Sequence, residues 1–294
     1  MSSDSDHDDP KLPPELERKI FEIAALTQPT WIPSLMLVAR RVKFWVEPLL
    51  YRVVSFRDSV DKLRDLDLPV FTADALEQRS QDCFRHVRHF FLDDANAEET
   101  MLERWLLACT GVTNLYAWVT YTPGRLPSIS GFTNVQYLTM DVRALCRTAI
   151  PLPLFLTVTH LELLAFTDER ESVDRVCRNI LLIPRLTHIA LNLRLHSALS
   201  HVALCANTQL RCIVFLSPRA PLGESPLIHD NRFVCIEEDV PYYDDWLNGA
   251  VFGEDYWALA DAFLAARRAG TINRSQYRIV NQGNLEFVEP VRND

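Results

Sequence analysis

Apolar positions recur along the chain in one short pattern: apolar, two residues, apolar, one residue, apolar. It reads Val87-x-x-Phe90-x-Leu92, Val112-x-x-Leu115-x-Ala117, Phe132-x-x-Val135-x-Tyr137, Val158-x-x-Leu161-x-Leu163 and Leu186-x-x-Ile189-x-Leu191. Weaker copies are Leu210-x-Cys212 and Phe233-x-Cys235. The copies start 25, 20, 26, 28 and, to Asn207, 21 residues apart. Thr-Asn or Thr-His begins at 113, 133, 159 and 187, in matching phase with the second anchor. Apolar positions two apart predict short strands. Helical spacing lies between them, over residues 99–109, 172–182 and 196–205. A strand followed by a helix or turn at this period predicts units that bury their apolar faces only by stacking into a parallel sheet.

This region resembles leucine-rich repeats. The usual asparagine three residues past the last anchor is missing; Thr120, Met140, Phe166, Arg194 and Phe215 stand there. An irregular solenoid is therefore expected. In this register the residues between anchors face the other side of the sheet. One row reads Phe91, Tyr116, Gln136, Glu162, Ala190, Arg211, and the next Asp93, Trp118, Leu138, Leu164, Asn192, Ile213. The second row is apolar for a wet surface, and aromatic and aliphatic anchors with a polar rim suit a protein interface. The candidate partner-binding residues are Tyr116, Trp118, Leu138, Glu162, Leu164, Asn192, Arg211 and Ile213. Two alternatives stay open: a loop or the C-terminal segment covers this face, or a one-residue slip exchanges the faces. An ordinary doubly wound α/β domain is the rival architecture. It calls for phosphate or nucleophile chemistry at strand ends, and no such motif is visible.

Residues 12–57 read as three short apolar helices followed, at Val53, Val54 and Phe56, by a short strand or extended exit. Leu12-Pro13-Pro14-Glu15 opens the first, with proline in the first turn and Glu15 and Glu17 at its positive end. Leu16, Ile20 and Ile23–Ala24 make its stripe, and Gln28-Pro29 ends it. Pro33 starts a second helix, and Trp45, Leu49 and Leu50 supply a third apolar group. Helices this short cannot bury all their surface alone; the rest of the chain or a partner must complete them. Leu12-Pro13-Pro14-Glu15-Leu16, Ile20-Phe21, Leu37-Val38-Ala39-Arg40-Arg41 and Pro48-Leu49-Leu50-Tyr51 resemble an F-box, in particular the F-box-like proteins of mushroom-forming fungi. Ala39 replaces the usual serine, and Val42 stands where tryptophan is common. The resemblance implies docking onto the Skp-type adaptor of a cullin–RING ubiquitin ligase through Leu12, Pro13, Leu16, Ile20, Leu37, Val38 and Leu49. The competing reading is a helical cap on the repeat region that binds nothing.

Beyond residue 241 the chain turns aromatic and acidic, with Tyr242, Tyr243, Asp244, Asp245 and Trp246. Residues 254–268 carry helical periodicity, and Gly270 stops it. A terminal repeat needs a cap, and this helix supplies one. Residues 277–280 and 285–288 are expected to pair as a hairpin. The D-D-W and D-Y-W clusters are also similar to the ends of the fungal proteins.

Composition narrows the function. Eight glycines in 294 residues leave little material for phosphate loops, nucleophile elbows or dinucleotide turns. A net charge of −9 disfavours nucleic acid. Seven widely spaced cysteines with no C-x-x-C suggest buried thiols rather than disulfides or zinc. His86 and His89 fall on opposite faces of a strand and share no metal, and adjacent Asp244 and Asp245 define no catalytic geometry. No apolar run is long enough to span a membrane. The acidic tail, residues 1–11, is expected to be disordered.

The expected chain is thus α/β. After the tail come an F-box-like helical module at 12–57, a connecting helix or linker at 58–82, leucine-rich-repeat-like parallel strands at 83–240 and a C-terminal helical cap at 241–294. It works as a non-catalytic interaction subunit without cofactor or metal, in the cytoplasm or nucleus. It links a target protein to the Skp adaptor, and contacts neither nucleic acid nor membrane. Alternatives are a scaffold outside any ligase and an α/β enzyme with an unrecognised site.

Overall fold

The repeated apolar segments do form strands, and strand order follows chain order throughout. The computed structural model describes residues 12–56, 81–93, 107–118, 131–147, 153–164, 173–192, 201–216, 222–237 and 240–280. Residues 1–11, the 57–80 connection, most of the 99–109 pattern and the 285–288 half of the expected hairpin lie outside them. The chain divides into two compact units, Met1–Arg52 with Ser59–Arg79, and Val53–Asp58 with Ser80–Asp294.

In the first unit, α1 (Pro14–Thr27) starts on two prolines, and Glu15 and Glu17 occupy its first turn. A 3₁₀ turn (Pro29–Trp31) leads into α2 (Ile32–Leu35), and α3 (Arg40–Leu50) follows. Ala25, Ile32, Val42 and Val46 form a small core, and Phe21, Leu35, Trp45, Leu49 and Leu50 pack around it. Arg41 grips Glu17 with two guanidinium nitrogens, tying α3 to α1; the Nη2–Oε1 distance is 2.7 Å.

The second unit is a nine-stranded, wholly parallel sheet in the order β1 to β9. The strands are β1 (Val53–Phe56), β2 (His89–Asp93), β3 (Asn114–Trp118), β4 (Tyr137–Asp141), β5 (His160–Leu164), β6 (His188–Leu191), β7 (Cys212–Leu216), β8 (Phe233–Ile236) and β9 (Arg278–Ile279). Helices α4 (Val142–Arg147), α5 (Val173–Leu181) and α6 (His201–Ala206) lie between strands, and α7 (Tyr242–Phe252) and α8 (Tyr256–Ala269) between β8 and β9. Arg278–Ile279 therefore joins the sheet as a strand parallel to β8; the second half of the expected hairpin lies outside the described residues.

Pairing fixes the register. Phe90, Leu115, Leu138, Leu161, Ile189, Ile213 and Phe233 stand in one row, and all are buried. Two repeats are corrected. The third unit is Val135-x-x-Leu138-x-Met140, three residues later than the sequence pattern suggests, and the sixth is Leu210-x-x-Ile213-x-Phe215. Thr133-Asn134 is thus a coincidental copy outside the true phase. Leu138 and Ile213 move from the supposed open face into the anchor row.

The repeats are joined by a carbonyl ladder. Thr113 and Asn114 both donate their amides to Arg88 O, Gln136 and Tyr137 to Thr113 O, and Thr159 and His160 to Gln136 O. The amides of Thr187 and His188 then donate to Thr159 O, and those of Arg211 and Cys212 to Thr187 O. The hydroxyls of Thr113, Thr159 and Thr187 donate to the same carbonyls as their own amides. This gives the recurrent threonine a physical role: it marks where each strand hooks onto the previous one. Gly111 sits just before such a hook, where a Cβ would lie 2.4 Å from Arg85 O.

The opposite face is also covered. Helix α8 lays Trp257, Ala260, Phe263 and Leu264 against Ala190, Cys212, Val214 and Val234. Helix α7 brings Tyr243 and Trp246 onto Phe91, and the Trp246 indole donates to Asn114 Oδ1 at 2.9 Å. Asp255 caps α8 by accepting from Ala258 N, and Gly270 ends it in the left-handed region at φ 80°. Phe263→Ala empties the centre of this layer, and is expected to cost about 3–5 kcal/mol in a denaturant titration.

Candidate functional site

Beneath α7 and α8 the covered face turns polar in mid-sheet, and the chemistry of the chain collects there. Because β4, β5 and β6 are in register, Tyr137, His160 and His188 stand side by side. Their rings stack, with centroids 4.1 Å apart for Tyr137–His160 and 4.0 Å for His160–His188. Trp257 on α8 closes one side, edge-on to both imidazoles. Thr159 Oγ1 contacts His160 Nδ1 at 2.9 Å, and Thr187 Oγ1 contacts His188 Nδ1 at 2.7 Å. On its far side His188 Nε2 meets Asp261 Oδ1 of α8 at 3.2 Å. Burial, with His188 beside it, pushes His160 down to about 3. Burial also lowers His188, against the pull of Asp261. Each of His160, His188 and Asp261 offers one ligand atom, all within 4.8 Å of one another.

Two residues along β5, Glu162 points to the same face, and Thr139 donates to its Oε2 at 2.8 Å. Burial drives its carboxyl up to about 7, with Asp255 adding to the rise. Asp245, in the first turn of α7, accepts the Tyr256 amide at 3.0 Å, and burial beside Asp255 and Glu162 pushes it to about 8. Asp255 is raised by burial as well. Gly249 makes room for this cluster, since a Cβ there would lie 2.6 Å from Asp255 Oδ2. Neither Glu162 Oε1 nor the Tyr256 hydroxyl forms a hydrogen bond of ordinary geometry, although the two groups are close enough to shift each other's titration. Low dielectric disfavours ionised carboxyls, so the cluster folds best with protons bound.

The candidate partner-binding residues fare differently from the expectation of an open face. Tyr116, Glu162, Leu164 and Asn192 are buried, and so are Leu138 and Ile213 in the anchor row. Helices α7 and α8 cover the face that carries Tyr116 and Glu162: Tyr243 and Trp246 pack on Phe91, which stacks on Tyr116, and Tyr256 and Asp245 lie close to Glu162. Trp118 is half-buried, and Arg211 is exposed. Leu138 and Ile213 are buried on the other face, where strand pairing puts them. The adaptor positions lie in the helical unit. Leu12, Pro13, Leu16, Ile20, Leu37 and Val38 are exposed, with Leu16 at 51% and Leu37 at 87%, while Leu49 is half-buried against the small core.

Sequence reasoning used the Thr-His pairs only as repeat markers. Their phase already placed both histidines on one face; Asp261, on a distant helix, left no sequence signal. Burial pushes the thiols of Cys109, Cys212 and Cys235 up to about 12, leaving them as protonated packing groups. Among the described residues, no helix is long and apolar enough to cross a membrane.

The acid cluster predicts a pH dependence. Glu162 and Asp245 bind protons more tightly folded than unfolded, so their contribution to stability is complete below their ordinary values of 4.5 and 3.8. It is lost as pH rises through about 7 to about 8. The melting midpoint should therefore fall between about pH 5 and pH 8, and Glu162→Gln with Asp245→Asn should flatten the fall. A parallel decline in wild type and the double variant would show that the cluster does not control it. Compared with known proteins, the chain matches no family model, and no curated protein resembles it significantly.

Proposed function

We propose that the chain is a non-catalytic interaction subunit, an F-box-like substrate receptor that holds a target protein next to a ubiquitin ligase through a Skp-type adaptor. In this reading the first unit is an F-box-like module, and the nine strands are an irregular leucine-rich-repeat-like solenoid. The observation that carries it is the surplus apolar surface of the helical unit. Among the described residues, its core cluster takes Ala25, Ile32, Val42 and Val46 in full. Leu12, Leu16, Ile20, Leu37 and Val38 are left exposed, and so are Trp31 and Phe44. So many exposed large apolar side chains on a small helical unit suit an interaction surface.

Sequential parallel strands support the repeat reading, since stacking neighbours is how such units bury their faces. Catalysis belongs to other subunits, and the chain contributes proximity. Target recognition falls to surfaces around the covered strands rather than to the strands themselves. Trp118 and Arg211 are the two positions of the original set still within reach.

The test is co-expression of the full chain with a fungal Skp adaptor, followed by size-exclusion chromatography. Wild type should co-elute with the adaptor. Leu16→Asp with Leu37→Asp should weaken the complex by about 30-fold or more, the effect of losing one central apolar anchor. The far-ultraviolet circular dichroism should stay unchanged, because neither side chain belongs to the core. If wild type fails to co-elute, or the double variant binds as well as wild type, the adaptor reading is wrong. A protein-binding scaffold outside any ligase is then the reading left.

A further inference from the structure

We propose that His160 on β5, His188 on β6 and Asp261 on α8 form a binding site for a late first-row divalent cation, zinc being the best fit. Two imidazoles and a carboxylate are a zinc donor set, and three protein ligands leave a fourth position open. The ligand atoms already gather within 4.8 Å. The Asp261 side chain is 52% exposed, so the site has an entry from solvent.

The hydrogen-bond ladder offers each imidazole an acceptor at Nδ1. Each threonine hydroxyl owns one hydrogen. Thr159 directs it to Gln136 O and Thr187 to Thr159 O, the carbonyls that also hold the strand amides. The hydroxyl oxygens then accept, and the atoms facing them are His160 Nδ1 and His188 Nδ1. With the hydroxyl hydrogens on those carbonyls, both imidazoles carry hydrogen on Nδ1 and keep a lone pair on Nε2, the tautomer that a metal takes. This outer-shell arrangement orients a metal-binding histidine and raises its basicity. It also sets the His188 Nε2 lone pair 3.2 Å from a carboxylate oxygen of Asp261. Two acceptors at that distance repel unless a cation or a proton lies between them. An ion shared by all three groups removes the repulsion; it needs the two imidazoles to turn out of their 14° stack until their lone pairs converge. The bound ion would tie two neighbouring strands to the helix that covers them.

The test uses the full chain, stripped with a chelator and titrated with zinc chloride by calorimetry, beside Asp261→Asn and Thr187→Val. Wild type should bind one zinc tightly and melt at a higher temperature with it. Asp261→Asn, altered at a half-exposed position, should fold normally. It should bind at least about 100-fold more weakly, beyond the 10–100-fold expected of Thr187→Val as a lost outer-shell partner. Cobalt gives an optical check, since the visible absorption of a four-coordinate site should appear in wild type and vanish in Asp261→Asn. Equal zinc affinity in wild type and Asp261→Asn would place the ion on other groups, such as the thiols, and overturn the proposal. Absence of tight binding in wild type would overturn it too, and would leave His188 and Asp261 as an ordinary hydrogen-bonded pair.

Discussion

Nine parallel strands present two broad faces, and neither can be left to water when both are apolar. Parallel sheets are therefore covered on both sides, and their strands read as nearly continuous apolar runs. Here β7 and β8, Cys212–Leu216 and Phe233–Ile236, are buried at every position. This constraint explains the C-terminal helices. Val214, Val234 and Ile236 point away from the anchor rows and need a partner layer. Tyr256, Trp257, Ala260, Phe263 and Leu264 supply it. The terminal segment is thus less an end cap than a second layer laid across the sheet.

The same register that stacks anchors on one face stacks polar groups on the other. From β3 to β7 each strand hooks onto its predecessor through one carbonyl, so equivalent residues fall into line from unit to unit. In-line placement turns Tyr137, His160 and His188 into a ladder of rings, and sets Thr139 beside Glu162. Mid-sheet polarity would be costly under an apolar helix. It is tolerated because α7 and α8 bring their own acids, Asp245, Asp255 and Asp261, and because the most buried carboxyls take up protons instead of charge.

The helical unit shows the opposite balance. It is too small to enclose its own apolar residues, so its core closes around Ala25, Ile32, Val42 and Val46 and leaves a large set outside. The Arg41–Glu17 clamp lies at the surface and sets the approach of α3 to α1 more than it adds stability. Exposed leucines on a scaffold held this way can be replaced with little effect on folding, which separates an interaction role from a structural one.

Much of this was legible from residues alone. The three N-terminal helices, the strand at Val53–Phe56, the parallel repeats and the long C-terminal helix all follow from apolar spacing, proline and glycine. Local periodicity is enough for such elements, because each one's apolar stripe is written in its own few residues. Phase was less secure. Phe132-x-x-Val135-x-Tyr137 fits the pattern as well as Val135-x-x-Leu138-x-Met140, and only strand pairing decides between them. The fate of the second face was not written locally either. Whether Tyr116 and Glu162 meet solvent depends on where a segment some 80 to 150 residues later comes to rest. The convergence of His160 and His188 with Asp261 depends on it too. Alternation along a strand sorts its side chains into two sets; strand pairing decides which set is the anchor row, and tertiary packing decides what lies against each face, because burial is a property of two surfaces and the chain encodes them far apart.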